Sequence, residues 1–283
     1  MTISLKNSYN TQGGTVHFYE HESRVTKTPM KFSVFMPGNK NKNPKKTLLW
    51  LSGLTCTEEN FMVKSGVQKR AQALDMAIIC PDTSPRGLNL PMEHDNWDFG
   101  SGAGFYLDAT QAPWSENYLM HSYIMQDLLP LAKNHFPIDP SRIGISGHSM
   151  GGLGALMLGI RYPEVFRSIS AFAPICAPSQ APWGIKAFTG YLGADKSSWE
   201  KYDPAILLAE NGYSGSILVH QGTADEAMAT QLMPDKLEAA AISSKTKLCL
   251  KRSLGYDHSY YFVATFIDDH LDFHCEQMNR LQN

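Results

Sequence analysis

The sequence predicts an α/β fold in which eight strands form a mostly parallel sheet with helices on both faces. Three observations predict it. Short, continuous apolar runs recur at intervals that leave room for a helix between each pair. Two stretches of strict alternation precede them and read as antiparallel strands. The length of 283 residues, with 43% hydrophobic and 18% charged side chains, suits a single domain spanning 1–283 with a sizeable core.

In the first alternating stretch, Val16 and Phe18 interleave with His17 and Tyr19. In the second, Met30, Phe32, Val34 and Met36 flank Lys31, Ser33 and Phe35. Six apolar runs follow: Thr47–Ser52, Met76–Cys80, Ile143–Ser146, Ser168–Ala173, Ser216–Gln221 and Thr246–Lys251. Helical segments fit at roughly 58–74, 116–135, 150–162, 231–243 and 259–279. Pro130 should kink the second, because it lacks a donor and clashes one turn back. The stretch from Pro81 to Ser115 has little periodicity and is rich in Gly, Pro, Asp and Trp. A loop that long in a compact domain is usually functional, and here it is expected to wall a pocket.

Composition excludes several function classes. A net charge of −2 gives no bulk positive field for nucleic acid or anionic lipid. The basic run from Lys40 to Lys46 reads as a solvated loop ahead of a strand. The N-terminus lacks the pattern of a secretory signal, and no run of about 18 apolar residues predicts a membrane span. Five scattered cysteines without CxxC spacing argue for a reducing compartment, with cytoplasm as the default, and against disulfides or zinc.

The run Ile143–Ser146 leads into Gly147-His148-Ser149-Met150-Gly151-Gly152 and then into a helical stretch. This is G-x-S-x-G in the strand–turn–helix setting of a nucleophile elbow, which makes the expected fold an α/β-hydrolase fold and Ser149 its nucleophile. Side chains two positions either side of the serine would collide with the turn, hence Gly147 and Gly151. A serine hydroxyl needs a base, and in this fold the order is serine, acid, histidine. His220 lies inside an apolar strand, where a structural role fits better. His270 and His274 stand i, i+4 on the last helix, but the third ligand and glutamate of a metal motif are missing, so a solvated helix end is expected. His258, in the loop between the last strand and last helix, is the candidate base. Asp225, just past the carboxyl end of the preceding strand, is the candidate acid. Asp257 adjoins the base and should point away, while Asp203 and Asp235 near helix starts are read as caps. One oxyanion amide should come from Met150 and the other from the loop after Leu51, from Gly53 or Leu54. Thr55 with Glu58 has the spacing of a capping box.

The strings LSGLTCTEENF, WDFGSGAGFYLDAT, GHSMGGLGAL, APWGIKAFTGYLGADKSSWEKYD and GYDHSYYFVATFIDDH, with the segment from Phe136 to Ser146, closely resemble the S-formylglutathione hydrolase (esterase D) family. The resemblance runs from about residue 14 to 275. It implies that Ser149, Asp225 and His258 form the triad and that Leu54 and Met150 supply the oxyanion amides. It further implies cleavage of S-formylglutathione to glutathione and formate in formaldehyde detoxification, side activity on short-chain esters, no metal or other cofactor, a cytoplasmic location and a homodimer. Cys56 matches the family's LTCT cysteine and is expected in the substrate pocket, with Trp97 and Trp183 as walls. Two departures stand out: His220 where an acidic residue often precedes Gln-Gly, and Ala181 where a cysteine often precedes Pro-Trp-Gly. The competing readings are a general short-chain carboxylesterase, an acyltransferase of the same fold, and a non-catalytic binding protein on this scaffold.

Overall fold

The computed structural model describes residues 2–38 and 43–280. Its strands are β1 (Ser4–Thr11), β2 (Gly14–Glu22), β3 (Pro29–Met36), β4 (Lys45–Leu51), β5 (Met76–Pro81), β6 (Ile138–Gly147), β7 (Phe166–Phe172), β8 (Ser216–Gly222) and β9 (Lys247–Ser253). They form one sheet in the order β1-β2-β3-β5-β4-β6-β7-β8-β9. β1, β2, β3 and β5 pair antiparallel, and every later neighbour pairs parallel. The expected class holds, with nine strands among the described residues rather than eight. The extra strand is β1, whose residues are almost all exposed, so it carries no apolar alternation that would announce it.

The helices are α1 (Glu58–Lys64), α2 (Val67–Ala73), α3 (Met120–Ser122), α4 (Leu129–His135), α5 (Met150–Arg161), α6 (Pro182–Leu192), α7 (Pro204–Asn211), α8 (Pro234–Ser244) and α9 (Tyr260–Arg280). The side chain of Ile145 meets α5 at Gly159, whereas a Cβ on its neighbour Gly144 would meet His274 of α9. Successive strand residues point to opposite faces, so α5 and α9 cover the two sides of the sheet.

Several expectations are corrected. The segment 58–74 is two helices, broken where Gly66 takes a left-handed conformation (φ 70°). The segment 116–135 joins α3 to α4 through a π-helical stretch, Tyr123–Leu128, so the irregularity expected at Pro130 appears as a wider turn just before it. Helices α6 and α7 fall outside the five helical segments read from the sequence, although Asp203 marks the start of the second; Gly184 and Gly190 weaken the helical signal of the first. The capping box belongs to Thr57 and Asn60: Asn60 Oδ1 accepts from the Thr57 N–H at 2.8 Å, while Thr55 sits at φ 66°. Asp203 does cap α7, accepting from the Ala205 and Ile206 amides. Asp235 caps nothing and instead pairs with Arg252 at 2.7 Å. Of the supposed solvated loop, residues 40–42 lie outside the described residues, and Lys45 is buried in β4 and paired with Asp75 at 2.9 Å. His270 and His274 are fully buried against the sheet, not solvated. Among the described residues no helix is long and apolar enough to cross a membrane.

Candidate active site

Ser149 sits between β6 and α5 at φ 59°, ψ −119°, a conformation that costs an L-residue of order 1–3 kcal/mol. Neighbouring strands hold it there. The His148 N–H donates to the Leu51 carbonyl at 3.1 Å and the Ser149 N–H to Phe172 at 3.0 Å. The Ser149 carbonyl accepts from Leu153 and Ile175 at 3.0 and 3.3 Å. A Cβ on Gly147 would lie 2.2 Å from the Gly151 carbonyl oxygen, and one on Gly151 would lie 1.9 Å from that of Leu51. Both glycines are therefore required by close approach, as the motif predicts.

Asp225 and His258 meet although 33 residues apart, with His258 Nδ1 2.5 Å from Asp225 Oδ2. The carboxylate is fully buried. It also accepts from Gln221 Nε2 at 3.3 Å and from the Ala227 N–H at 3.0 Å, which fixes its orientation. The two loops are stitched by Ala224 N–H to the Tyr256 carbonyl at 2.9 Å and Gly255 N–H to Thr223 Oγ1 at 3.0 Å. A carboxylate acceptor at Nδ1 selects the tautomer whose Nε2 lone pair is free to take a proton. Asp257 binds the Ser259 N–H and hydroxyl, so it does not compete for that nitrogen.

Ser149 and His258 line one cavity of about 260 Å³ with Gly53, Leu54, Cys56, Trp97, His148, Trp183 and Tyr260. Among the described residues no hydrogen bond joins Ser149 to His258; such contacts often tighten only when substrate is bound. Gly53 lies against the elbow, since a Cβ on it would be 3.1 Å from that of Ser149. In the same loop the Thr55 N–H is committed to Gly102 and the Cys56 N–H to Gly53. Gly53 and Leu54 remain as the candidate loop amides, and both line the cavity with the serine. Met150 opens α5 on the other side, where a helix's first N–H groups point outward.

Cys56, Trp97 and Trp183 all line the cavity. The tryptophans meet edge to face at 5.5 Å, so the 81–115 segment does contribute a wall. Burial pushes the Cys56 thiol up, which keeps it neutral near pH 7. Two lining residues escaped the sequence reading. His148 is buried and held well below the ordinary imidazole range by burial and by nearby His258. Tyr260 presents a buried hydroxyl, and burial raises its phenol well above the usual range. His220, outside the cavity, is bonded to His270 at 2.8 Å, in keeping with a structural role. Among the described residues no cluster of side chains could hold a metal ion.

Three comparisons bear on this arrangement. The family model described as "Putative esterase" matches residues 23–273. S-formylglutathione hydrolase of Rattus norvegicus is 49% identical over 99% of this chain and 100% of its own length. That of Bos taurus is 46% identical over the same shares. A solved S-formylglutathione hydrolase from Agrobacterium tumefaciens superposes with a TM-score of 0.94 at 43% identity, covering 97% of this chain and 99% of that one. A fluorophosphonate-binding serine hydrolase from Staphylococcus aureus, at TM-score 0.72 and 19% identity over 93% and 98% of the two chains, shares the fold.

Proposed function

Because the chain belongs to the S-formylglutathione hydrolase family, we propose that it hydrolyses S-formylglutathione to glutathione and formate through an acyl-enzyme on Ser149. The observation that carries the reading is the Asp225–His258 pair opening onto the cavity that holds the strained serine. His258 Nε2 takes the Ser149 proton as Oγ attacks the formyl carbon. The Leu54 and Met150 amides receive the tetrahedral oxyanion. The C–S bond breaks, the sulfur leaves as glutathione thiolate and takes the proton from His258, and water repeats the sequence to release formate. A thiolate leaves readily, so the thioester asks less of His258 as acid than an amide would.

A cavity of about 260 Å³ walled by two tryptophans supports a small acyl group. The esterase family match supports activity on short-chain esters beside the thioester. A homodimer in the cytoplasm completes the proposal, and sedimentation checks the first part. The decisive experiment compares kcat/KM for S-formylglutathione with that for acetyl and butyryl esters, in wild type and Ser149→Ala. Wild type should prefer the thioester, and the variant should lose several orders of magnitude on every substrate. A butyryl ester turned over best, or an active alanine variant, would overturn the reading.

A further inference from the structure

Stabilising an oxyanion requires an amide whose aim is fixed before the reaction, because a misplacement near 1 Å costs on the order of 10²-fold in rate. The loop 53–57 that carries Leu54 is short, but its conformation is unusual: Thr55 has φ 66° and the chain turns sharply from β4 into α1. What holds it lies elsewhere in the sequence. The Cys56 carbonyl accepts two hydrogen bonds, from Thr83 Oγ1 at 2.6 Å and from Arg86 Nη2 at 2.9 Å. The same guanidinium grips Asp82 through Nη2 at 2.7 Å and through Nε at 3.1 Å, and Asp82 is itself buried. Its Nη1 reaches Ser101 Oγ at 3.3 Å. One residue earlier, the Thr55 N–H donates to the Gly102 carbonyl at 2.9 Å, and Gly102 is tied to Ser84 Oγ at 2.8 Å. Gly102 has φ 81°, and a Cβ there would lie 3.1 Å from Thr55 Cα and 3.4 Å from Arg86 Nη1.

We propose that Arg86, seated on Asp82 and assisted by Thr83, is a positioning residue that locks the loop 53–57 and so aims the Leu54 amide at the oxyanion. The proposal rests on the reading of this loop as an oxyanion donor. Arg86 lines no part of the cavity and touches no reacting atom. Its planar fork bridges a carboxylate and a carbonyl at once, which a lysine's single ammonium cannot do with the same rigidity. Both hydrogen bonds to the Cys56 oxygen leave that carbonyl no freedom to rotate, and the peptide that carries it lies two residues beyond Leu54.

The test uses the full-length enzyme with Arg86→Gln, Arg86→Lys and Thr83→Val. Steady-state constants are measured on S-formylglutathione and on a neutral acetyl ester, together with affinity for a trifluoromethyl ketone, which forms the tetrahedral oxyanion on the serine. Arg86→Gln should lower kcat about 10- to 100-fold on both substrates with KM changed less than about threefold. Ketone affinity should fall in step with kcat/KM. Arg86→Lys should recover part of the loss, and Thr83→Val should lose less than Arg86→Gln. Unchanged kcat in a folded Arg86→Gln overturns the clamp, as does a loss of kcat with ketone affinity intact. Should Arg86→Gln fail to fold, the ketone series on Arg86→Lys and Thr83→Val decides by the same criterion. An active Ser149→Ala would sink the wider reading, whereas an inactive one beside unaffected Arg86 variants sinks only the clamp.

Discussion

Asp225 shows how much one side chain's surroundings decide. Its carboxylate is buried, yet it accepts from His258, Gln221 and the Ala227 amide, so desolvation is offset by three donors. Asparagine would keep the shape but could turn its NH₂ toward Nδ1, holding the opposite imidazole tautomer with its proton on Nε2. Asp225→Asn should therefore lower kcat by up to about 10⁴-fold, the size of the same change in another serine hydrolase, while KM moves little. Steady-state kinetics checks it. Cys56 allows a second prediction. Its thiol is raised by burial, whereas Cys249 is exposed, so iodoacetamide at pH 7 should label Cys249 first without loss of activity. Labelling of Cys56 should follow, faster as pH rises, and should track inactivation; peptide mass mapping separates the two. At this scale the proposed triad was legible because each residue type sits in a recognisable local setting. Arg86 and Thr83 were not, since their partner carbonyl at Cys56 is about thirty residues away and leaves no trace in local spacing.

Elements were legible where burial imposes a pattern and obscure where it does not. β4 to β9 show as apolar runs or turns of known chemistry, while β1 is wetted along its length and reads as nothing in particular. Helix α9 holds a signal that the spacing of two histidines alone conceals. Val263, Ile267, His270, Leu271, His274 and Met278 recur at helical intervals, so both imidazoles lie on the apolar stripe and face the sheet. The elbow glycines permit a test of close approach against backbone strain. A Cβ on Gly151 would sit 1.9 Å from the Leu51 carbonyl oxygen and 2.6 Å from that of Ser52, main-chain atoms that cannot swing aside. At Gly66 a Cβ would meet nothing within 4 Å, and only the positive φ of 70° resists it. Gly66→Ala should cost about 1 kcal/mol in urea unfolding. Gly151→Ala should cost more than about 4 kcal/mol or prevent folding. Equal losses would mean that the elbow relaxes more easily than its contacts indicate.

At the scale of the whole molecule, a polar network ties three parallel strands to α9 beneath the active site. His220 Nδ1 lies 2.8 Å from His270 Nε2, and His270 Nδ1 lies 2.8 Å from Ser170 Oγ. Ser170 donates to Ser146 at 2.8 Å and also meets His274 Nε2 at 2.7 Å, while His274 Nδ1 meets Ser168 at 2.6 Å. With the single Ser170 proton given to Ser146, His270 Nδ1 and His274 Nε2 must both donate to Ser170 Oγ. It follows that His220 donates to His270 and Ser168 donates to His274. A proton added at His270 Nε2 would set its N–H against that of His220. Burial accordingly lowers His220 to about 4, lowers His274 to about 3 and holds His270 well below its ordinary value. In the unfolded chain these groups titrate near 6.5, so below that pH the unfolded state binds protons that the folded state refuses. Stability is complete above about pH 6.5 and drains away as pH falls toward 4, by at most about 1.4 kcal/mol per pH unit for each histidine. Glu58 opposes this: burial raises it to about 7, so its contribution is full below about 4.5 and disappears as pH rises through 7. One carboxyl against three imidazoles leaves the net slope with the histidines between pH 6.5 and 4.5. The urea midpoint should therefore fall steeply across that window, and His274→Gln, which keeps a donor and an acceptor but cannot charge, should flatten the slope. A midpoint equally steep in the variant would show that the network takes no part in acid unfolding.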